Sequence, residues 1–511
     1  MTNNLPYTLY SSEQTRFLYA LAESEVHIPG IQLMKRAGQA SFDVLIQRWK
    51  DVQHIVVFCG GGNNGGDGYV LAALVAKKKI PVTVCALVNP ERLKGNAKQA
   101  YLYALQERAP VYVIADGETM PDKLAKVLAT GSQKVVVVDA VLGTGFVGDM
   151  RDDTAKAIDL MHACCAPILA LDIPSGLQAD TGFANTKALK VDATVTFIAL
   201  KLGLLTGRGP ALCGDIYFDD LKLPEYLYGH IKPVAMRIDV CSLEHLKLHR
   251  EADAHKGDFG HVRIVGGDKG LGGAALMAAE AAARSGAGVV SLATQPEHVS
   301  ASLSRMPEVM VLGVSSSPEL EERQGLASVL AIGPGLGQSA WSEQMLAATI
   351  NCDLPMVVDA DALNLIASTV GGFQLPLARN IHRVFTPHPG EAARLLASTV
   401  ADIQCDRIAA AKNLQQKLGG VVVLKGAGTV IASDGVVKIA NVGNPGMAVA
   451  GMGDILAGII AALMAQGLSA LDAAYLGVCV HGKAGDLAAK ESGVKGILAT
   501  DLLPFVRKSL N

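Results

Sequence analysis

Ile55-Val56-Val57-Phe58-Cys59-Gly60-Gly61-Gly62-Asn63-Asn64-Gly65-Gly66-Asp67-Gly68 is an unbroken apolar run that empties into a loop of glycine, amide and carboxylate. The run has no polar alternation, so it predicts a strand buried on both faces, as in a parallel sheet. The pattern recurs. Residues 135–138 run into Asp139-Ala140-Val141-Leu142-Gly143-Thr144-Gly145, and residues 168–171 run into Asp172-Ile173-Pro174-Ser175-Gly176. Such strand ends share one edge of a parallel sheet, where the ligands of α/β folds bind. Apolar runs at 82–88 and 194–199 supply two more strands, and Ser11-x-x-Gln14 reads as a capping box that opens a helix.

Between 223 and about 252 the alternation of strands and helices lapses, at Leu223-Pro224-Glu225 and Ile231-Lys232-Pro233. A domain boundary is placed in this stretch, giving 1–225 and 226–511. The second half restarts with strands predicted at 262–265, 289–293, 329–332, 356–358, 383–385 and 421–424, and an Ala-rich helix at about 273–285. Runs at 429–432 and 436–439, joined by Ser433-Asp434-Gly435, read as a small meander. No internal repeat relates the halves. Two different α/β domains are expected.

Composition narrows the function classes. The 511 residues are 50% hydrophobic and 18% charged, ample for two large cores. A net charge of -3 gives no reason to expect nucleic acid, and Lys77-Lys78-Lys79 reads as a solvated helix end. No apolar run reaches the roughly 18–20 residues of a membrane helix; the longest, 455–465, is interrupted by Gly458 and stopped by Gln466. The N-terminal residues show no signal peptide, and nine cysteines without C-x-x-C spacing read as reduced thiols. A cytoplasmic protein with neither membrane nor nucleic-acid partners is expected.

The loop at 60–68 can cradle phosphates with backbone N–H groups. It lacks the G-x-G-x-x-G order, so a hydride-transfer dinucleotide site is not indicated. Asn64, Asp139 and Ser175 offer amide, carboxylate and hydroxyl oxygens. One carboxylate among neutral oxygens suits a monovalent cation better than a tight divalent cage. Asp172, at a strand end, is a candidate general acid or base, and Lys201 either joins it or is a solvated lysine. The same Asp and Asn residues could instead cap helices and tie turns.

Asn63-Asn64-Gly65-Gly66-Asp67-Gly68, Val138-Asp139-Ala140-x-x-Gly143-Thr144-Gly145-Phe146 and Asp172-Ile173-Pro174-Ser175-Gly176 resemble the NAD(P)H-hydrate epimerase family, over about residues 10–220. The resemblance implies a Rossmann-like three-layer sandwich. It implies that Asn63, Asn64, Gly65, Gly66 and Asp67, with Gly143, Thr144, Gly145, Phe146, Val147, Gly148 and Asp149, hold the substrate. Asn64, Asp139 and Ser175 would bind K⁺, and Asp172 would transfer the proton.

In the second half, Ala450-Gly451-Met452-Gly453-Asp454 leads into the apolar run 455–460. Two glycines at a helix start expose N–H groups that attract phosphate. A carboxylate there, Asp454, is repulsive to phosphate unless it moves a proton. Other predicted strands end in Gly333-Pro334-Gly335-Leu336-Gly337, Asp359-Ala360-Asp361, Thr386-Pro387-His388-Pro389-Gly390-Glu391 and Lys425-Gly426-Ala427-Gly428-Thr429. Lys425 can meet phosphate charge, and Glu391 can hold Mg²⁺ directly or through water. His388 is either ligand-facing or a turn residue. Asp359 and Asp361 either act in the site or cap a helix at 362–366.

These motifs, with His255-Lys256-Gly257-Asp258-Phe259-Gly260-His261 and Asn444-Pro445-Gly446-Met447-Ala448, resemble the ribokinase-like fold and, within it, the ADP- or ATP-dependent NAD(P)H-hydrate dehydratase family. The resemblance covers about residues 240–507. It implies that Lys425, Gly426, Ala427, Gly428, Thr429 and Gly453 bind adenine nucleotide, and that Ala287, Gly335, His388 and Asp454 face a hydrated nicotinamide nucleotide. ADP with Mg²⁺ would be the co-substrate. The family commonly reads Gly-Thr-Gly-Asp where this chain has Gly451-Met452-Gly453-Asp454, so a small change in phosphate contact is expected. The small-molecule substrates implied are hydrated NADH and NADPH, and Ala/Gly-rich helices point to a homo-oligomer. The rival readings are a small-molecule kinase with a regulatory N-terminal domain, and an N-terminal binding module without activity.

Overall fold

A computed structural model describes residues 5–114, 134–184, 186–322, 327–368 and 382–511. The chain divides into two compact units, Met1–Met236 and Arg237–Asn511. The division falls after Met236, within the stretch from 223 to about 252 where the pattern of strands and helices lapses. Thr8 and Leu9 pair antiparallel with Met236 and Ala235 of strand β10 (Ala235–Ile238), which ties that stretch of chain into the first unit.

Among the described residues, the first unit is built on seven parallel strands. They are β2 (His54–Cys59), β3 (Val82–Ala86), β4 (Val111–Val113), β5 (Val135–Ala140), β6 (Ile168–Leu171), β7 (Ala193–Phe197) and β9 (Asp215–Asp219), in spatial order β4-β3-β2-β5-β6-β7-β9. Outside this sheet lie β1 (Thr8–Tyr10) and the two-residue β8 (Leu200–Lys201), which pair in parallel with each other. Each central strand reads as apolar throughout because both faces are covered. On one face Val57 and Val138 pack with Ala37, Val70 and Leu71. On the other Val56 and Val137 pack with Ile158 and Met161. That is a three-layer α/β sandwich. The strand order reverses between β2 and β5, which opens a crevice at their carboxyl ends. The helix Ser12–Ser24 is opened by Ser11 and Gln14 in a complete capping box.

Among the described residues of the second unit, nine strands run in the order β13-β12-β11-β14-β15-β16-β17-β18-β19. They are β11 (His261–Val265), β12 (Val289–Thr294), β13 (Met310–Gly313), β14 (Val329–Ile332), β15 (Met356–Val358), β16 (Arg383–Phe385), β17 (Val421–Leu424), β18 (Thr429–Ser433) and β19 (Val436–Ala440). The first seven in space are parallel, and β17, β18 and β19 form an antiparallel meander. Helices Gly272–Arg284, Met452–Ala465 and Ala470–Ser492 carry most of the core. Gly458 does not mark a broken apolar segment. A Cβ there would lie 2.1 Å from the Ala278 carbonyl oxygen, so the glycine lets two helices cross in close contact. No helix among the described residues is long and apolar enough to cross a membrane.

Candidate active sites

In the first unit the crevice between β2 and β5 opens into a cavity of about 1020 Å³, large enough for a nucleotide-sized ligand. Its wall includes Asn63, Asn64, Asp67, the segment Gly143–Asp149 without Gly148, and Asp172. The helix Asn63–Lys77 begins immediately behind the β2 loop, with Gly62 as N-cap and no side-chain cap. Its first N–H groups are therefore free for an anion. Gly65 and Gly66 are glycine for a packing reason. A Cβ on Gly65 would meet the Gly60 carbonyl oxygen at 2.0 Å, and one on Gly66 would meet Met34 Sδ at 2.5 Å. Both glycines permit packing behind the loop.

Asp139, Ser175 and Asn64 form one connected cluster. The Ser175 hydroxyl donates to Asp139 Oδ1 at 2.6 Å, and the Ser175 N–H donates to Oδ2 at 2.7 Å. Val141 N–H adds a third bond at 3.1 Å. Even so, burial pushes the Asp139 carboxyl up to about 6. The Asn64 amide donates to the Leu142 carbonyl at 2.8 Å, while its Oδ1 is buried with no hydrogen-bond partner. An orphaned buried acceptor beside a buried carboxylate calls for a cation or a donor.

Asp172 follows β6 with φ +64, a left-handed conformation uncommon outside glycine. Its N–H donates to the Val195 carbonyl at 2.7 Å, which fixes the turn. Its carboxylate accepts an ion-paired hydrogen bond from Lys201, whose side chain is 1% exposed. The Lys201 ammonium also donates to Thr196 Oγ1 and the Phe197 carbonyl, both at 2.9 Å. Lys201 is thus a buried member of the site and not a solvated lysine. Sequence reasoning missed Arg16, Tyr19 and Arg151, which also line the cavity.

In the second unit the carboxyl ends of β15, β16 and β17 bring Asp359, Thr386 and Lys425 together. Lys425 Nζ lies 2.6 Å from Asp359 Oδ1 and 3.9 Å from Glu391 Oε2. Thr386 donates its hydroxyl to Asp359 Oδ1 at 2.7 Å. Asp359 occupies the N-cap position of helix Ala360–Ala367 but makes no cap with its side chain, and its Oδ2 is buried without a partner. Ala360 follows at φ +46, so here too a non-glycine residue is held in the left-handed region beside the chemistry. Asp361 accepts from Gly337 N–H at 2.9 Å and ties the Gly333–Gly337 turn to this edge.

The helix Met452–Ala465 starts over this cluster, with Gly451 at φ +90. A Cβ on Gly453 would lie 3.1 Å from Lys425 Nζ and 3.6 Å from Asp359 Oδ2. A side chain there would fill the space between the ammonium and the helix N-terminus, two groups that both attract anions. Burial, with Asp359 nearby, pushes the Asp454 carboxyl up to about 7. Burial works against the Lys425 ammonium, but Asp359 and Glu391 outweigh it and raise its pKa. Behind the loop, the buried Arg407 guanidinium donates to the Leu424 and Lys425 carbonyls at 3.1 Å and holds Lys425–Thr429 in place.

Two expectations change. Glu391 is turned into its own helix cap: His388 N–H donates to Oε2 at 2.7 Å, and His388 Nε2 lies 3.2 Å from Oε1. Its oxygens serve His388 and not an open metal position, and burial pushes its carboxyl up to about 7. Ala287 lies ahead of β12, at the amino edge of the sheet, whereas Gly335, Asp359 and Lys425 follow strands at the carboxyl edge. It is not brought to the site. Ala274 is, because a Cβ on Gly335 would lie 3.1 Å from the Ala274 Cβ. Nothing in the local motif distinguished one alanine from the other. His388 stays beside the cluster as the N-cap of helix Pro389–Leu396, with its Nδ1 accepting from Gly390 N–H at 2.9 Å.

Comparison with known proteins agrees with this division. A family model described as NAD(P)H-hydrate dehydratase matches residues 262–508, and one described as YjeF-related protein N-terminus matches residues 30–203. A bifunctional NAD(P)H-hydrate repair enzyme from Coxiella burnetii is 43% identical over 98% of this chain and 99% of its own. Its Escherichia coli counterpart is 41% identical over 99% of this chain and 95% of its own. The crystal structure of a ribokinase-like superfamily protein from Enterococcus faecalis aligns with TM-score 0.50 at 32% identity, covering 54% of this chain and 94% of that one. With both halves matched and full-length relatives above 40% identity, this chain belongs to the family of bifunctional NAD(P)H-hydrate repair enzymes.

Proposed function

We propose that the first unit interconverts the R and S hydrates of NADH and NADPH, and that the second dehydrates the S form at the expense of ADP. The observation that carries the second half is the convergence of Lys425, Asp359 and Asp454 on the start of helix Met452–Ala465. Hydroxide is a poor leaving group. Transfer of a phosphoryl group from the nucleotide to the substrate hydroxyl makes a good one, releasing AMP. Asp454 takes the hydroxyl proton, and Lys425 with the helix N–H groups neutralises the phosphate charge. Loss of phosphate and of a proton from the neighbouring ring carbon then restores the double bond. Gly426, Ala427, Gly428, Thr429 and Gly453 border the nucleotide in this reading, and Gly335, Ala274 and His388 border the nicotinamide. Magnesium would sit chiefly on nucleotide phosphates and water, with the unpartnered Asp359 Oδ2 as the nearest free carboxylate oxygen.

In the first unit Asp172 transfers the proton, and Asn64, Asp139 and Ser175 would hold K⁺. The orphaned Asn64 Oδ1 supports that ligand set, and the ion would supply fixed positive charge to the loop Val141–Gly145 that borders the substrate. Replacing K⁺ by Li⁺ is expected to slow epimerisation at least tenfold and to leave dehydration of purified S-hydrate unchanged. The two rates, followed separately by chromatography of the epimers, check this.

The decisive assay mixes the protein with racemic NADH hydrate, ADP, K⁺ and Mg²⁺ and follows recovery of dihydronicotinamide absorbance. Full recovery of both epimers is expected. Recovery that stops at the S fraction removes the epimerase, and a stable phosphorylated product in place of NADH selects the kinase reading.

A further inference from the structure

Among the described carboxylates of the first unit, Asp67 alone combines deep burial, a place on the cavity wall and no bonded partner. It is 7% exposed and lines the cavity with Asp172. It makes no hydrogen bond and no ion pair among the described residues. This differs from its neighbours: Asp139 accepts three hydrogen bonds, and Asp172 holds the Lys201 ammonium. A buried carboxylate without a partner is expensive as an anion, so it carries a proton or waits for a ligand donor.

We infer that Asp67 is the second catalytic residue of the epimerase, a carboxylic acid that works against the Asp172 carboxylate as a proton-exchanging pair. This rests on the epimerase reading of the first unit and adds a role that the motif did not give. Two carboxyl groups in one cavity, one neutral and one ionised, are the usual way a fold supplies acid and base together. The geometry separates their states. Lys201, on β8, pairs with Asp172 and not with Asp67.

The groups facing Asp67 come from four elements: Asp172 after β6, Lys201 on β8, Tyr19 on helix Ser12–Ser24 and Cys59 on β2. Burial raises the Asp67 carboxyl well above its ordinary value, Asp172 raises it further, and Lys201 opposes them. The Tyr19 phenol and the Cys59 thiol are themselves raised by burial, so neither supplies a charge near neutral pH.

The step balances without an added reagent. The substrate hydroxyl sits on a carbon bonded to the ring nitrogen. Asp67 gives its proton to that hydroxyl, the C–O bond breaks with its electron pair on oxygen, and water leaves. The nitrogen lone pair forms the C=N bond. Water then adds to the other face, its oxygen forming the new C–O bond, and loses a proton to Asp172 as the C=N electrons return to nitrogen. In the reverse epimerisation Asp172 is the acid and Asp67 the base, and between turnovers in one direction the proton returns from Asp172 to Asp67 by exchange with solvent.

The test is Asp67→Asn in the full-length chain, with epimerisation measured across pH. The wild type is expected to show a bell-shaped profile. In D67N kcat falls by roughly 10²–10⁴-fold, KM changes less than threefold, and one limb of the bell disappears. Dehydration of purified S-hydrate by the same sample reports the amount of intact protein, and the calorimetric melting transition of the first unit reports whether the variant is folded there. If it is not, difference infrared spectroscopy of the wild type against Asp67→Glu decides, since a protonated carboxyl at neutral pH has its own carbonyl stretch, which must shift on that substitution. A D67N enzyme that keeps its kcat within threefold and both limbs overturns the proposal. So does a wild type with no protonated carboxyl that responds to D67E. A wild type that leaves R- and S-hydrate unequilibrated instead overturns the epimerase reading itself.

Discussion

Asp454→Asn is expected to slow ADP-dependent recovery of NADH from S-hydrate by roughly 10²–10⁴-fold in kcat, while R and S hydrates continue to interconvert. The substitution keeps the shape of the side chain at the start of helix Met452–Ala465 and removes only the proton acceptor. The folded state gives a second handle. Burial and Asp359 set the Asp454 carboxyl near 7, so the wild-type base is mostly protonated below that pH. A base must be ionised to act, so kcat/KM for dehydration is expected to fall about tenfold per pH unit on the acid side of 7. The Glu391 carboxyl also rises to about 7, but it is bonded to His388 and not to the phosphate space. An Asp454→Asn profile that keeps the acid limb would move the assignment to another group. The raised carboxyl carries a stability consequence of definite sign. Its folded value lies above the unfolded one, so its protonated form favours folding, and that contribution is lost as pH rises from the ordinary aspartate range through about 7. Asp454 therefore weakens the second unit at the pH where it is active, and Asp454→Asn is expected to raise the melting temperature of that unit above neutral pH. Differential scanning calorimetry at two pH values measures this. The trade of stability for a poised base is common at active sites.

The strands that carry chemistry were readable because they are buried on both faces. Residues 168–171, 329–332, 356–358, 383–385 and 421–424 are strands with the bounds expected from the apolar runs alone. The strands that escaped notice are short or at edges. Val111–Val113 ends one sheet and Asp215–Asp219 the other side of it, and Met310–Gly313 ends the second sheet. Their half-exposed residues break the continuous apolar signature, as in Asp215-Ile216-Tyr217-Phe218-Asp219. Glycine-rich loops were likewise visible, but not which glycine serves a ligand. Gly65 and Gly66 face packed atoms, whereas Gly453 faces Lys425. Long-range pairings leave no local trace. Asp359 meets Lys425 across 66 positions of sequence, and Asp172 meets Lys201 across 29. A lysine at a strand end looks the same whether it is solvated or buried.

Lys201→Met tests the pairing that was least visible in the sequence and is expected to have a large effect in the first unit. Lys201 is buried among Thr196, Phe197 and Asp172, and methionine fills a similar volume without the charge. Breaking a buried pair by removing one partner leaves the other uncompensated, which typically costs about 3–5 kcal/mol. Asp172 is 15% exposed at its side chain, so some of that cost is relieved by solvent. The remainder is relieved if the carboxyl takes up a proton, which removes the ionised partner that epimerisation needs. Lys201→Met is therefore expected to lose epimerase activity at neutral pH by at least a hundredfold and to regain part of it as pH is raised. Lys201→Arg keeps the charge but puts a planar fork where three acceptors surround a compact ammonium, so it rescues poorly. Both variants should dehydrate purified S-hydrate at the wild-type rate, which separates this effect from loss of the protein. Recovery with rising pH distinguishes a lysine that holds the Asp172 charge from one that only fills space. A loss that is the same at every pH assigns Lys201 to folding alone, and wild-type activity in Lys201→Met removes Asp172 as an ion-pair-dependent base.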